Sequence, residues 1–124
     1  MTHAAVMYAR DLDRLVEFYA AHGLTVDEAQ SDYAVLTGPQ CELSIVQIPQ
    51  NVAAQIEVQS PPRAREETPI KLVSVVSSID EVLRVTGALG GRIKDGSKRW
   101  HFRGHAVQDA IDPEGNVYQL RELL

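Results

Sequence analysis

Two stretches of the chain carry the same apolar stripe at a constant offset of 67 residues. Leu12, Leu15, Val16 and Tyr19 stand at i, i+3, i+4 and i+7, and Ile79, Val82, Leu83 and Thr86 repeat that register. This is one face of a short amphipathic helix, used twice. Asp11 and Ser78 precede the stripes as N-cap residues, able to accept from unpaired N–H groups of the first turn. Ser78 with Glu81 also forms a capping-box pattern. Gly23 and Gly90 then suit the left-handed conformation that ends a helix. The spacing predicts helices over 12–22 and 79–89, with Gly87 inside the second and weakening it by ~1 kcal/mol relative to alanine.

Strand patterns surround each helix. Before the first lies 4–9, and after it come 24–28, 33–37 and 42–48, with Ser31-Asp32 and Gly38-Pro39 as turns. Before the second lies 70–76, rich in β-branched residues. After it come 92–94, 105–111 and 117–121, the last two joined by Asp112-Pro113-Glu114-Gly115-Asn116. Each half thus reads β-α-β-β-β. The expected organisation is a single domain over 1–124, with module one at 3–48, a linker at 49–69 and module two at 70–122. Pro61-Pro62 and the charged run Arg63–Glu67 mark the linker, in which 51–58 fits a short helix and an edge strand equally.

Composition narrows the class. A chain of 124 residues with 44% hydrophobic and 23% charged residues supports a buried core without metal or disulfide staples. No apolar run approaches the ~20 residues that span a bilayer, and the opening MTHAAVMYARD lacks a signal-peptide pattern. Cys41 is the lone cysteine, without a basic neighbour in sequence, so a reducing, cytoplasmic setting and an inert thiol are expected. Twelve basic against seventeen acidic residues give a net charge of −5, which argues against nucleic-acid binding. No nucleophile-elbow, phosphate-loop or dinucleotide pattern is present.

Two βαβββ units in so short a chain, opening with DLDRLVEFY and closing with DPEGNVYQL, resemble the vicinal oxygen chelate superfamily. That superfamily includes glyoxalase I, bleomycin-resistance proteins and extradiol dioxygenases. The resemblance implies an α+β fold, with two βαβββ modules forming a curved, mostly antiparallel sheet around a concave cavity, within a homodimer. It also implies a metal-ligand position on the first strand of each module and another on the last. In this sequence those four positions hold Ala4, Ser44, Lys71 and Gln119. Alanine has no donor atom, serine is a weak ligand, lysine brings a positive charge, and Gln119 offers only a neutral oxygen. No metal or other cofactor is therefore expected. His3 reaches the ligand position only through a β-bulge, and His101 and His105 have helical metal-pair spacing in a segment that is not helical.

Strand alternation from those positions aims Ala4, Val6 and Tyr8 into the cavity, together with Glu42, Ser44 and Val46. In the second module it aims Lys71, Val73, Val75, Val117, Gln119 and Arg121 the same way. The expected ligand-binding residues are Tyr8, Ser44, Lys71, Trp100, His101, Arg103 and Gln119. Lys71 either attracts an anionic ligand or pairs with Glu42 or another acidic neighbour across the sheet. Trp100, His101, Phe102 and Arg103 alternate aromatics with cations, which suits a flat ligand and equally suits packing. His22, before the helix stop, suits an imidazolium complementing the helix dipole. The function expected is a glyoxalase- or bleomycin-resistance-like protein binding a small organic, anionic molecule in a metal-free cavity, without nucleic-acid or membrane partners. The alternative is a lyase, isomerase or dioxygenase of the same superfamily with an atypical metal site.

Overall fold

A computed structural model describes residues 3–57, 60–65 and 69–124. Met1 and Thr2 of the opening segment, Val58 at the end of the undecided 51–58 stretch, and Glu66 and Glu67 of the charged run lie outside the described residues. The chain divides into two compact units, Met1–Glu57 and Val58–Leu124, so the boundary falls within the 49–69 linker.

The first unit contains β1 (His3–Ala9), α1 (Leu12–Ala20), β2 (Thr25–Ala29), β3 (Tyr33–Gly38), β4 (Cys41–Gln47) and α2 (Gln50–Ala53). Its four strands are ordered β1-β4-β3-β2, with β1 parallel to β4 and the other pairs antiparallel. Alternation decides which face is covered. Ala34, Leu36, Leu43 and Ile45 are buried along with Leu12, Leu15, Phe18 and Tyr19 of α1, whereas Val6 and Tyr8 on the other face are exposed. Phe18, not Val16, completes the buried stripe of the helix. Of the undecided 51–58 stretch, residues 51–53 fall in the short helix α2 and 54–57 lie outside any helix or strand.

The second unit contains β5 (Val73–Val76), α3 (Ile79–Gly87), β6 (Arg92–Ile93), β7 (Trp100–Phe102), β8 (His105–Ile111) and β9 (Val117–Leu123). Its sheet runs β5-β9-β8-β6, with β7 also on β8, and only β5–β9 is parallel. Ile79 and Thr86 of α3 are buried, as are Ala110, Tyr118 and Leu120 on the sheet. Strand β7 falls in a segment whose pattern reads as a loop. It is drawn into the sheet by a tight hairpin in which Arg103 (φ 48°) and Gly104 (φ 76°) both take the left-handed conformation.

Both helices start where predicted but end two residues early, at Ala20 and Gly87. Asp11 accepts from Arg14 N and Ser78 from Glu81 N. Glu81 does not complete the capping box, because its carboxylate turns to Arg84 one turn on, at 2.5 Å. Gly87 is the last helical residue of α3 and not an interior one, so its cost there is smaller.

Both units solve one further capping problem identically. The N–H of Leu12 donates to Gln47 Oε1 at 3.0 Å, and the N–H of Ile79 donates to Glu122 Oε2 at 3.2 Å. Leu12 and Ile79 are repeat equivalents. So are Gln47 and Glu122, since Val6 pairs with Ser44 as Val73 pairs with Gln119, and each cap lies three residues after that partner.

Candidate functional site

The turn between β8 and β9 holds the last strand in place. Asp112 is fully buried and accepts from Glu114 N, Asn116 N and Asn116 Nδ2 at 2.8–3.0 Å. Gly115 has φ +83°, and a Cβ there would collide with the backbone oxygen of Arg63. Only glycine serves at that position, and the closely fitted turn fixes the start of β9.

Strand β9 then presents Gln119 and Arg121 on the face opposite α3. Register places Val73, Gln119 and Asp109 in one cross-strand row, and Val75, Arg121, Val107 and Trp100 in the next. Lys71 Nζ meets Asp109 Oδ2 at 2.7 Å, and Gln119 Nε2 lies 3.5 Å from Asp109 Oδ1. Gln119 Oε1 in turn accepts from Arg121 Nε at 2.9 Å, and the guanidinium carbon of Arg121 sits 5.3 Å from the centre of the Phe102 ring. The result is a continuous polar chain, Lys71–Asp109–Gln119–Arg121, ending on an aromatic ring. Val73, Val75, Trp100 and Phe102 stand exposed around it.

Lys71 thus takes the second of the two roles its sequence position allows. Its acidic partner is Asp109 and not Glu42. The Asp109 side chain is 11% exposed against 37% for Lys71, so the carboxylate is the member that most needs the pair.

The other residues singled out in the sequence divide by face. Trp100 lies on the same face as Arg121, whereas His101, one residue on, points to the opposite face. Arg103 is exposed in the hairpin turn. Tyr8 and Ser44 belong to the first unit, where Ala4, Val35 and Val46 stand at the places of Lys71, Asp109 and Arg121, and the row through Val6, Ser44 and Val35 continues to Glu28. Asp109 and the role of Arg121 were not legible in the sequence, because the repeat puts uncharged residues, Val35 and Val46, at the matching places.

A divalent metal does not fit this donor set. Ala4 lies in β1, Ser44 in β4 and Gln119 in β9, whereas Lys71 precedes β5 instead of lying in it, and the Asp109 carboxylate is engaged by an ammonium group and an amide. The pairing of β1 with β4 is regular from His3 to Ala9, with no bulge to turn His3 to the face of Ala4. His101 and His105 lie on opposite faces of their hairpin. Among the described residues no three His, Cys, Asp or Glu side chains cluster as a metal site.

Two further features belong to packing. A cavity of about 530 Å³ opens at the N-terminus of α1, lined by Arg10, Asp11, Asp13, Gln47 and Gln50. Its central amide, Gln47, donates to Arg10 O and Ile48 O and accepts from Leu12 N, so it serves the cap. His22 is buried against the rings of Phe18 and Tyr19, and its Nδ1–H donates to Phe18 O at 2.9 Å. Burial pushes its pKa down, which corrects the expected imidazolium: here a neutral imidazole ends the helix.

No protein-family model matches the chain, and a search of curated proteins finds no match. Solved structures do match. A glyoxalase/bleomycin resistance protein/dioxygenase family enzyme from Burkholderia phytofirmans PsJN is 16% identical, with a TM-score of 0.71 over 98% of this chain and 97% of that one. A glyoxalase/bleomycin resistance protein from Albidiferax ferrireducens T118 is 19% identical, with a TM-score of 0.61 over 100% and 98%. A bleomycin-binding protein complexed with bleomycin is 16% identical, with a TM-score of 0.58 over 100% and 98%. At these identities the likeness establishes the fold, which this chain shares with these glyoxalase/bleomycin resistance proteins, and leaves activity to the site.

Proposed function

We propose that the chain binds a small organic molecule, with anionic ones favoured, on the sheet faces its helices leave uncovered, and that it does so without a metal ion. The observation that carries this reading is the Lys71–Asp109 pair. The position just before β5 that the resemblance gives to a metal ligand holds an ammonium group, 2.7 Å from a carboxylate. Among the described residues Lys71 keeps two further N–H donors, and Gln119 orients a neighbouring guanidinium, so the face offers hydrogen bonds amid exposed valines and aromatics. The same fold in a protein that binds bleomycin supports a binding role.

On this reading Tyr8 and Ser44 of the first unit and Trp100 and Arg103 of the second are contact residues. His101 acts only through the hairpin that carries Trp100. The chain works as one domain in a cytoplasmic homodimer, with no nucleic-acid or membrane partner. No helix is long and apolar enough to cross a membrane among the described residues.

A thermal-shift screen of small organic anions, cations and neutral compounds, run with and without a chelator, tests the reading. A compound present at 100 times its Kd stabilises the folded state by ~2.7 kcal/mol. The expected result is stabilisation by anions that persists in chelator. Stabilisation seen only after a divalent metal is added would overturn it.

A further inference from the structure

We propose that Arg121, and not Lys71, is the anion receptor of the second unit, and that its ligand is a planar aromatic molecule bearing a single carboxylate. The inference rests on the small-molecule reading above and names the ligand class. Lys71 and Asp109 neutralise each other, so among the described residues the polar chain Lys71–Asp109–Gln119–Arg121 carries one unmatched positive charge, on Arg121.

The guanidinium is already set in place. Nε donates to Gln119 Oε1, which fixes the plane, and Phe102 lies 5.3 Å away, which fixes its position over the ring. Among the described residues Nη1 and Nη2 have no protein hydrogen-bond partner. Two parallel N–H groups on that edge match the two oxygens of a carboxylate, a fit that a lysine ammonium does not offer.

The surroundings argue for a flat, aromatic body. Trp100 and Phe102 alternate onto this face of β7 and are 39% and 48% exposed. Trp100 shares a cross-strand row with Arg121, with Val107 between them, so their Cα atoms stand ~10 Å apart at ordinary strand spacing. That span suits two fused rings with an acid group at one end. The first unit has Val46 in place of Arg121, so this receptor exists once per chain.

The probes are 2-naphthoate and its uncharged counterpart 2-naphthamide, followed by ¹H–¹⁵N correlation spectra of the full chain. Trp100 is the one tryptophan, so its indole N–H gives a single assigned signal. Saturable shifts of that signal and of Arg121 Nε–H with 2-naphthoate are expected, with at least tenfold weaker binding of 2-naphthamide. Arg121→Gln should weaken 2-naphthoate at least tenfold and change 2-naphthamide less than twofold. Phe102→Leu, which keeps the charge but removes the ring beside it, should weaken 2-naphthoate at least threefold, and it carries the test if Arg121→Gln does not fold. Equal binding of 2-naphthoate by wild type and Arg121→Gln would overturn the inference while leaving small-molecule binding intact. No shift with either probe on the wild type would also overturn it, and the chelator screen then judges the broader reading separately.

Discussion

At the residue scale, two buried side chains tie the fold to measurable behaviour. Asp112 accepts three hydrogen bonds with no exposure, so Asp112→Ala leaves buried donors unpaired at the start of β9. A loss of about 2–4 kcal/mol in urea unfolding is expected, and Asp112→Asn should recover part of it. Gly115→Ala forces alanine to a φ of +83° against the Arg63 carbonyl, and a loss of at least ~1 kcal/mol is expected. His22 gives a pH signature. Its folded pKa lies below the ordinary 6.5, so the unfolded chain binds the proton more readily. Stability from this group is therefore complete above pH 6.5 and declines as pH falls through and below that value. The urea midpoint should drop between pH 7 and 5.5, and His22→Gln should flatten that drop. An unchanged slope in the variant would count against a buried neutral imidazole.

At the element scale, α1 and α3 each begin on a side chain from the last strand of their own unit. Gln47→Ala and Glu122→Ala should each cost ~1 kcal/mol, the ordinary value of a lost N-terminal cap, whereas Glu122→Gln retains an acceptor and should cost less. Much of this scale was legible in the sequence. The repeated stripe, Asp11 and Ser78, the helix-stopping glycines and the Asp112–Asn116 turn each act locally, so residue spacing alone exposes them. Strand β8 falls on the predicted 105–111, and the other predicted strands differ only at their ends. What the pattern did not reveal depends on register across strands. Strand β7 has only three residues and exists because the Arg103-Gly104 turn folds it onto β8. Asp109 meets Lys71 from 38 positions away, and nothing in either local sequence announces the pair. Phe18 replaces Val16 in the core because the buried face of α1, Leu12, Leu15, Phe18 and Tyr19, is rotated about the helix axis from the predicted stripe.

At the scale of the whole molecule, the repeat supplies one scaffold twice and chemistry once. Lys71, Asp109 and Arg121 stand where the first unit has Ala4, Val35 and Val46, so this Lys–Asp–Arg set has no counterpart in the first half. Both sheets also leave strands with hydrogen bonds on one side only, β1 and β2 in the first and β5 in the second. Pairing of two chains covers such edges, and light scattering at tens of micromolar should give twice the 13.7 kDa of one chain. A mass of one chain would remove the dimer from the account. The central claim is that the site works with an ion pair where a metal would otherwise sit. Elemental analysis of protein purified without chelator tests it most directly. The account predicts far less than one equivalent of zinc, nickel, manganese or iron per chain, and about one tightly held equivalent would contradict it.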